Sequence, residues 1–226
     1  MRIFESFVVL ACITLSVACN RNENGYTIKG VVPAGVEDGE IVYMTDHHEG
    51  IVVNSAVVSR NQFVFKGDID SAKAIMLSIQ DLHADLILDK GTLTVDMSDP
   101  YNAKGNPLTE KMNEFYAKCE DAILRAKNRI FEMDDSLSDE EKDQMQETIF
   151  DELLSQLDEI PAHYLREHPN DILGAMIFYI WMQNQMELSA DFFHEASRLV
   201  GENVLKFGPI KQMSSYFDII SETAID

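Results

Sequence analysis

Between Tyr26 and Met97 the apolar residues recur every second position, and from Leu108 onward they recur every third or fourth. No other feature limits the fold as much. A period of two puts apolar side chains on one face of a strand, whereas spacings of three and four put them on one stripe of a helix. The β-like part consists of "YTIKGVV", "EIVYMT", "IVVNSAVV", "QFVFKG", "AIMLSIQ", "ADLILD" and "TLTVDM". Turn signals, "EDG" at Glu37–Gly39, "SRN" at Ser59–Asn61 and "DKG" at Asp89–Gly91, separate several of them. Short strands joined by short turns predict a β-sandwich or barrel-like domain over residues 26–98. The gaps leave no room for helical crossovers, so an antiparallel arrangement is expected and a parallel sheet is excluded.

After "SDPYNAKGNP", Leu108, Met112, Phe115, Cys119, Ala122, Ala126, Ile130 and Met133 fall on one helical stripe. The segment "DDSLSDEEK" interrupts it, and Ser138 with Glu141 has the spacing of a capping box opening a second helix. That helix presents Met145, Ile149, Leu153, Leu157 and Ile160 until Pro161, which is expected to kink or restart it. The pair predicts a helical hairpin with an acidic tip. Asn170 or Asp171 is placed to cap a third helix, "ILGAMIFYIWMQNQM". Ser189 suits the cap of a fourth that ends at Gly201, and Pro209 the first turn of a last one. The fold class is therefore α+β, with an all-α helical domain over residues 107–226.

The first residues carry a different message. Phe7–Ala18 is an apolar run of twelve residues. It is too short for a membrane-spanning helix, which needs about 20 residues, but fits the apolar region of a signal peptide. Small residues then precede Cys19, and polar ones follow at once. This arrangement resembles a bacterial lipobox, in which the cysteine sulfur receives lipid. The reading is a lipoprotein signal peptide at 1–18, lipid attachment at Cys19 and a polar tether at 19–25. Ser16 occupies a slot usually given to Leu. The rival "VLAC" ending at Cys12 leaves only five apolar residues after Glu5, and an ordinary secretory signal with an incidental cysteine is the plain alternative. Acyl chains, at about 0.8 kcal/mol per buried CH2, would give a membrane partner through the anchor. The expected location is the cell envelope, periplasm-facing or attached to the outer membrane.

With Cys12 removed and Cys19 lipidated, Cys119 is alone, so no internal disulfide is expected, and no C-x-x-C motif is present. Eighteen basic against 39 acidic residues give a net charge of −21. That balance repels polyanions and excludes nucleic acid as a partner.

Candidate chemistry is sparse. Asp46, His47, His48 and Glu49 in "TDHHEG" are all possible metal ligands, and a metal-dependent enzyme at His47/His48 is one hypothesis. Adjacent histidines on a strand point to opposite faces, and a hairpin loop turned by Gly50 is the simpler account. His83 has no partner at ligand spacing. Asp134/Asp135 and Glu140/Glu141 sit at a helix start, where acids favour the N-terminus. Cys119 lies on an apolar stripe, as a small hydrophobe does. The stretch "AMIFYIWMQNQM" is apolar nearly all round, which means burial, a ligand groove or a partner face. No phosphate-binding loop, dinucleotide fingerprint, nucleophile elbow or H-E-x-x-H is found. No catalytic residue, metal site or cofactor is assigned.

"YTIKG", "EDGEIVYMTD", "NSAVVSRNQFVFKGDI", "LILDKGTLTVDMS" and "GNPLTEKMNEF" occur in that order. Together they resemble an N-terminal domain of unknown function in Bacteroidetes-type envelope lipoproteins, where a helical segment and a thioredoxin-like domain often follow. Asn54 stands where Asp is usual, Asn61 where Gly is common and Thr109 where Asn is frequent. The sequence ends at Asp226, about where the thioredoxin-like part begins in those proteins. The resemblance therefore implies that any thiol–disulfide role would need a separate thioredoxin-like partner protein. The leading expectation is a non-catalytic, lipid-anchored binding or scaffolding module, with an accessory of such a system as the alternative.

Overall fold

The structure is a computed structural model that describes residues 24–134 and 136–223. The signal peptide, Cys19 and all but the end of the tether lie outside the described residues, as does Asp135. Strands come first: β1 (Gly25–Val31), β2 (Ile41–Asp46), β3 (Ile51–Val57), β4 (Gln62–Asp68), β5 (Lys73–Ile79), β6 (Leu82–Leu88), β7 (Gly91–Asp96) and β8 (Asp99–Lys104). Helices follow: α1 (Pro107–Phe131), α2 (Asp139–Glu167), α3 (Ile172–Gln183), α4 (Ala190–Ser197), α5 (Glu202–Leu205) and α6 (Gly208–Thr223). The α+β reading holds, with strands before helices.

Two four-stranded sheets, in the orders β4-β1-β7-β8 and β3-β2-β5-β6, face each other as a sandwich. Alternation makes the core: Phe63 and Phe65 of β4 are buried while Gln62, Val64 and Lys66 are exposed. Ile28, Phe63, Phe65 and Leu93 come from one sheet and Met44, Ile75, Leu77 and Leu86 from the other. The turn after β3 is a two-residue loop in which Arg60 and Asn61 have φ 52° and 59°. Asn61 thus fills the left-handed position where glycine is common, which asparagine tolerates at little cost.

One expectation needs correction. The pairing is antiparallel except between β1 and β7, which run parallel from Tyr26↔Gly91 to Val31↔Asp96. A parallel neighbour does not require a helical crossover when intervening strands make the return, and here β2 through β6 do so. The sheet also extends beyond residue 98. The segment left between the two predicted domains, "DPYNAK", is β8 and pairs with β7 through Thr94↔Lys104 and Asp96↔Asp99. Its Pro100 hides it from a propensity reading, yet proline is tolerated because β8 is an edge strand.

The helical unit packs on the outer face of β5 and β6. Ile75, Leu77, Ala84 and Leu86 point into the sandwich, while Ala74 and Ile87 join the helical core of Met112, Phe115, Leu165, Phe178 and Phe193. These two strands are buried on both faces, so "AIMLSIQ" and "ADLILD" read as nearly continuous apolar runs. A buried hydroxyl fixes the junction: Thr109 Oγ1 donates to the Ile87 carbonyl at 2.8 Å and accepts from the Ile87 N–H at 3.0 Å. Because β6 is an edge strand, those backbone groups have no ladder partner on that side, and the hydroxyl serves both. Thr109 thereby ties the edge strand β6 to the first turn of α1.

Local caps set the helix starts. Asn106 Oδ1 accepts from Leu108 N–H at 2.8 Å to open α1, and Ser138 with Glu141 forms the predicted capping box of α2. Asp171, rather than Asn170, caps α3, and Ser189 caps α4. α2 is continuous through Pro161 instead of restarting there. α4 stops at Ser197, earlier than expected, and Gly201 instead opens the short α5. No helix among the described residues is long and apolar enough to cross a membrane.

Candidate binding groove

The helical hairpin and the end of α3 do not close on one another. α1 contributes Phe115, Tyr116, Cys119, Glu120, Ile123 and Lys127, at spacings that place them along one side of the helix. Leu154, Leu157, Asp158 and Pro161 of α2 face them. Ile180, Trp181, Asn184, Gln185, Met186 and Glu187 complete the far wall, and Tyr101 of β8 closes one end. The open groove between them has a volume of about 710 Å³, within the range of small-molecule sites.

The wall is aromatic and held in place. Tyr101 and Tyr116 lie with ring centroids 4.5 Å apart, and Phe115 is 5.6 Å from Tyr116. Asp158 Oδ1 accepts from Trp181 Nε1 at 2.8 Å and from Gln185 Nε2 at 3.1 Å. A carboxylate on the apolar side of α2 therefore fixes both the indole and the turn that follows α3. Burial, then the charge of Asp85, holds the Tyr116 hydroxyl well above the usual phenol range, so it stays protonated. Burial likewise pushes the Cys119 thiol up to about 11. At neutral pH it is a protonated, half-buried wall residue and no nucleophile.

The sequence candidates are dispersed. His47 Nε2 meets Asp85 Oδ1 at 2.7 Å, and its ring lies edge-on to Tyr179. His48 turns away, accepting at Nδ1 from the Gly208 N–H at 3.1 Å beside Phe207. Asp46 Oδ1 accepts from the backbone of His48 and Glu49, while Oδ2 pairs with Lys73 at 3.2 Å. Gly50, at φ 69°, completes the turn. The "TDHHEG" segment thus makes a hairpin loop that touches the helical unit, with its ligand-type side chains going to different partners. Among the described residues, no group of three His, Cys, Asp or Glu is placed to hold a metal ion.

The remaining candidates also separate. His83 is exposed on β6. Asp134 accepts from the Ser136 N–H at 2.8 Å, which lowers its pKa, and the Ser138 hydroxyl lowers that of Glu141 in the capping box. These acids order the hairpin tip. Cys19 lies outside the described residues.

Of the features singled out in the sequence, only "AMIFYIWMQNQM" reaches the groove, through Ile180, Trp181, Asn184, Gln185 and Met186. Tyr116 and Asp158 were not legible as wall residues. The available signal was Asp158 itself, an acid among Leu154, Leu157 and Pro161 on an otherwise apolar side. No curated protein and no solved structure matches this chain. Residues 26–112 match the family described as a domain of unknown function, DUF4369. The match spans the sandwich, the Asn106 cap and the Thr109 junction, while all of the groove except Tyr101 lies beyond it.

Proposed function

We propose that the protein is a non-catalytic, lipid-anchored module of the cell envelope that acts by binding, with the groove between α1, α2 and α3 as its recognition surface. One observation carries the binding reading. A cavity of about 710 Å³ has aromatic walls and a carboxylate that orients the indole of Trp181. Predominantly apolar walls with a few placed polar groups are the usual character of ligand sites. The anchor rests on the sequence before Asn20, and the sandwich is the rigid base that carries the helices.

Trp181 is the single tryptophan of the chain, so its fluorescence reports on the groove alone. Titration with the neutral apolar dye Nile red is expected to quench Trp181 saturably, by energy transfer. Ile123→Phe, which narrows the cavity from the α1 side, is expected to weaken that response. A response unchanged by Ile123→Phe, or none in the parent protein, would overturn the groove. The anchor is tested separately by metabolic labelling with a fatty-acid analogue: equal labelling of the parent and Cys19→Ala would refute it.

A further inference from the structure

We infer that the groove selects an amphiphilic organic cation, an apolar body bearing an amine or quaternary ammonium group. This rests on the groove being a binding site and goes on to name its ligand class. Glu120, Asp158 and Glu187 line the cavity against a single cation, Lys127, so its wall carries three carboxylates to one ammonium. Among the described residues, the side chains of Glu120, Glu187 and Lys127 have no hydrogen-bond or ion-pair partner, and Asp158 accepts through Oδ1 alone, from Trp181 and Gln185.

Aromatic rings supply the other half of the recognition. Tyr116 and Trp181 line the same cavity, and aromatic rings attract a cation, most strongly when it is quaternary and weakly hydrated. The same rings accommodate an aliphatic or aromatic body. An inorganic cation would leave most of the wall without contacts, and an anionic amphiphile would meet like charge at the rim of a chain of net charge −21. Apolar area and excess negative charge are together satisfied only by a ligand that has both an apolar part and a positive one.

The test uses three probes with the same ten-carbon chain, each below its micelle concentration, read by Trp181 fluorescence. They are decyltrimethylammonium, decyl maltoside and decyl sulfate. Decyltrimethylammonium is expected to bind tightest and to weaken as salt rises, because screening acts on the charged term. Glu120→Gln combined with Glu187→Gln is expected to weaken it by about tenfold, two partly exposed ion pairs being removed, and to leave decyl maltoside unchanged. The control, Asp139→Asn with Glu140→Gln, removes the same charge from the hairpin tip and is expected to change nothing. Equal affinity for the cation and the maltoside would overturn the charge preference while leaving the groove intact. Tightest binding of decyl sulfate, or an equal loss in the control, would also overturn the preference. No response to any of the three would overturn the preference and the groove together.

Discussion

The sandwich and the helical unit use aromatic rings in opposite ways. In the sandwich, Phe63 lies so close over Gly30 that a Cβ added there would fall 1.9 Å from its ring, and Phe65 packs edge-on at 5.8 Å. In the helical unit, Tyr101, Tyr116 and Trp181 stand around a space of about 710 Å³ that no side chain fills. Close packing on both sides specifies one backbone arrangement. A wall of similar residues with nothing opposite keeps its remaining contact energy for something outside the chain. The first region is therefore a framework, and the second offers surface.

Substitution in each region tests that contrast. Phe63→Ala is expected to have the largest effect, a loss of about 3–5 kcal/mol in denaturant unfolding, since it opens a void in a closed core. Leu157→Ala on the groove wall is expected to cost under about 2 kcal/mol, because part of its surface already faces open space. Similar losses for the two would break the contrast. Thr109→Val addresses the boundary: it strands the N–H and carbonyl of Ile87 and is expected to cost about 1–3 kcal/mol. Hydrogen exchange should show the Ile87 amide losing protection, with Thr109→Asn restoring part of it.

Smaller effects are expected farther from both cores. Ser138→Ala removes the hydroxyl of the capping box and is expected to cost about 1 kcal/mol, read as fraying of the first turn of α2. Cys119 gives a pH signature. Burial raises its thiol from the ordinary 9.0 to about 11, so the folded chain keeps a proton that the unfolded chain releases. Stability is then expected to fall as pH rises from about 9 to about 11. In a Cys12→Ser, Cys19→Ser chain, the onset of iodoacetamide reaction at Cys119 should shift down to the ordinary thiol range when denaturant is added. An ordinary onset in the folded chain would place the thiol in solvent rather than in the groove wall.

Most of the framework was legible because strands and helices advertise themselves by period. Seven of the eight strands and the capping residues Ser138, Asp171 and Ser189 follow from alternation and local hydrogen-bonding chemistry. β8 escaped because an edge strand needs neither alternation nor a full set of N–H donors, and Pro100 reads as a break. The β1–β7 pair escaped because parallel neighbours here are set by how two sheets fold over each other, which no local pattern records. The groove was legible only in part. The apolar stretch of α3 marks a surface that must be covered, but residues distant in sequence decide whether another helix covers it. Tyr116 and Asp158 come from different helices, and only tertiary packing places them on one cavity wall.

The position of β1 has a mechanical consequence. It is an inner strand, registered over seven residue pairs with β4 and six with β7. If Cys19 is held in a bilayer, the residues from 19 to 25 reach at most about 25 Å, and any pull transmitted along them arrives at Gly25. That force would load two ladders in shear at once instead of peeling an outer strand pair by pair. The domain would then resist extraction through its N-terminus far better than through β8, whose single ladder lies at the margin of the same sheet.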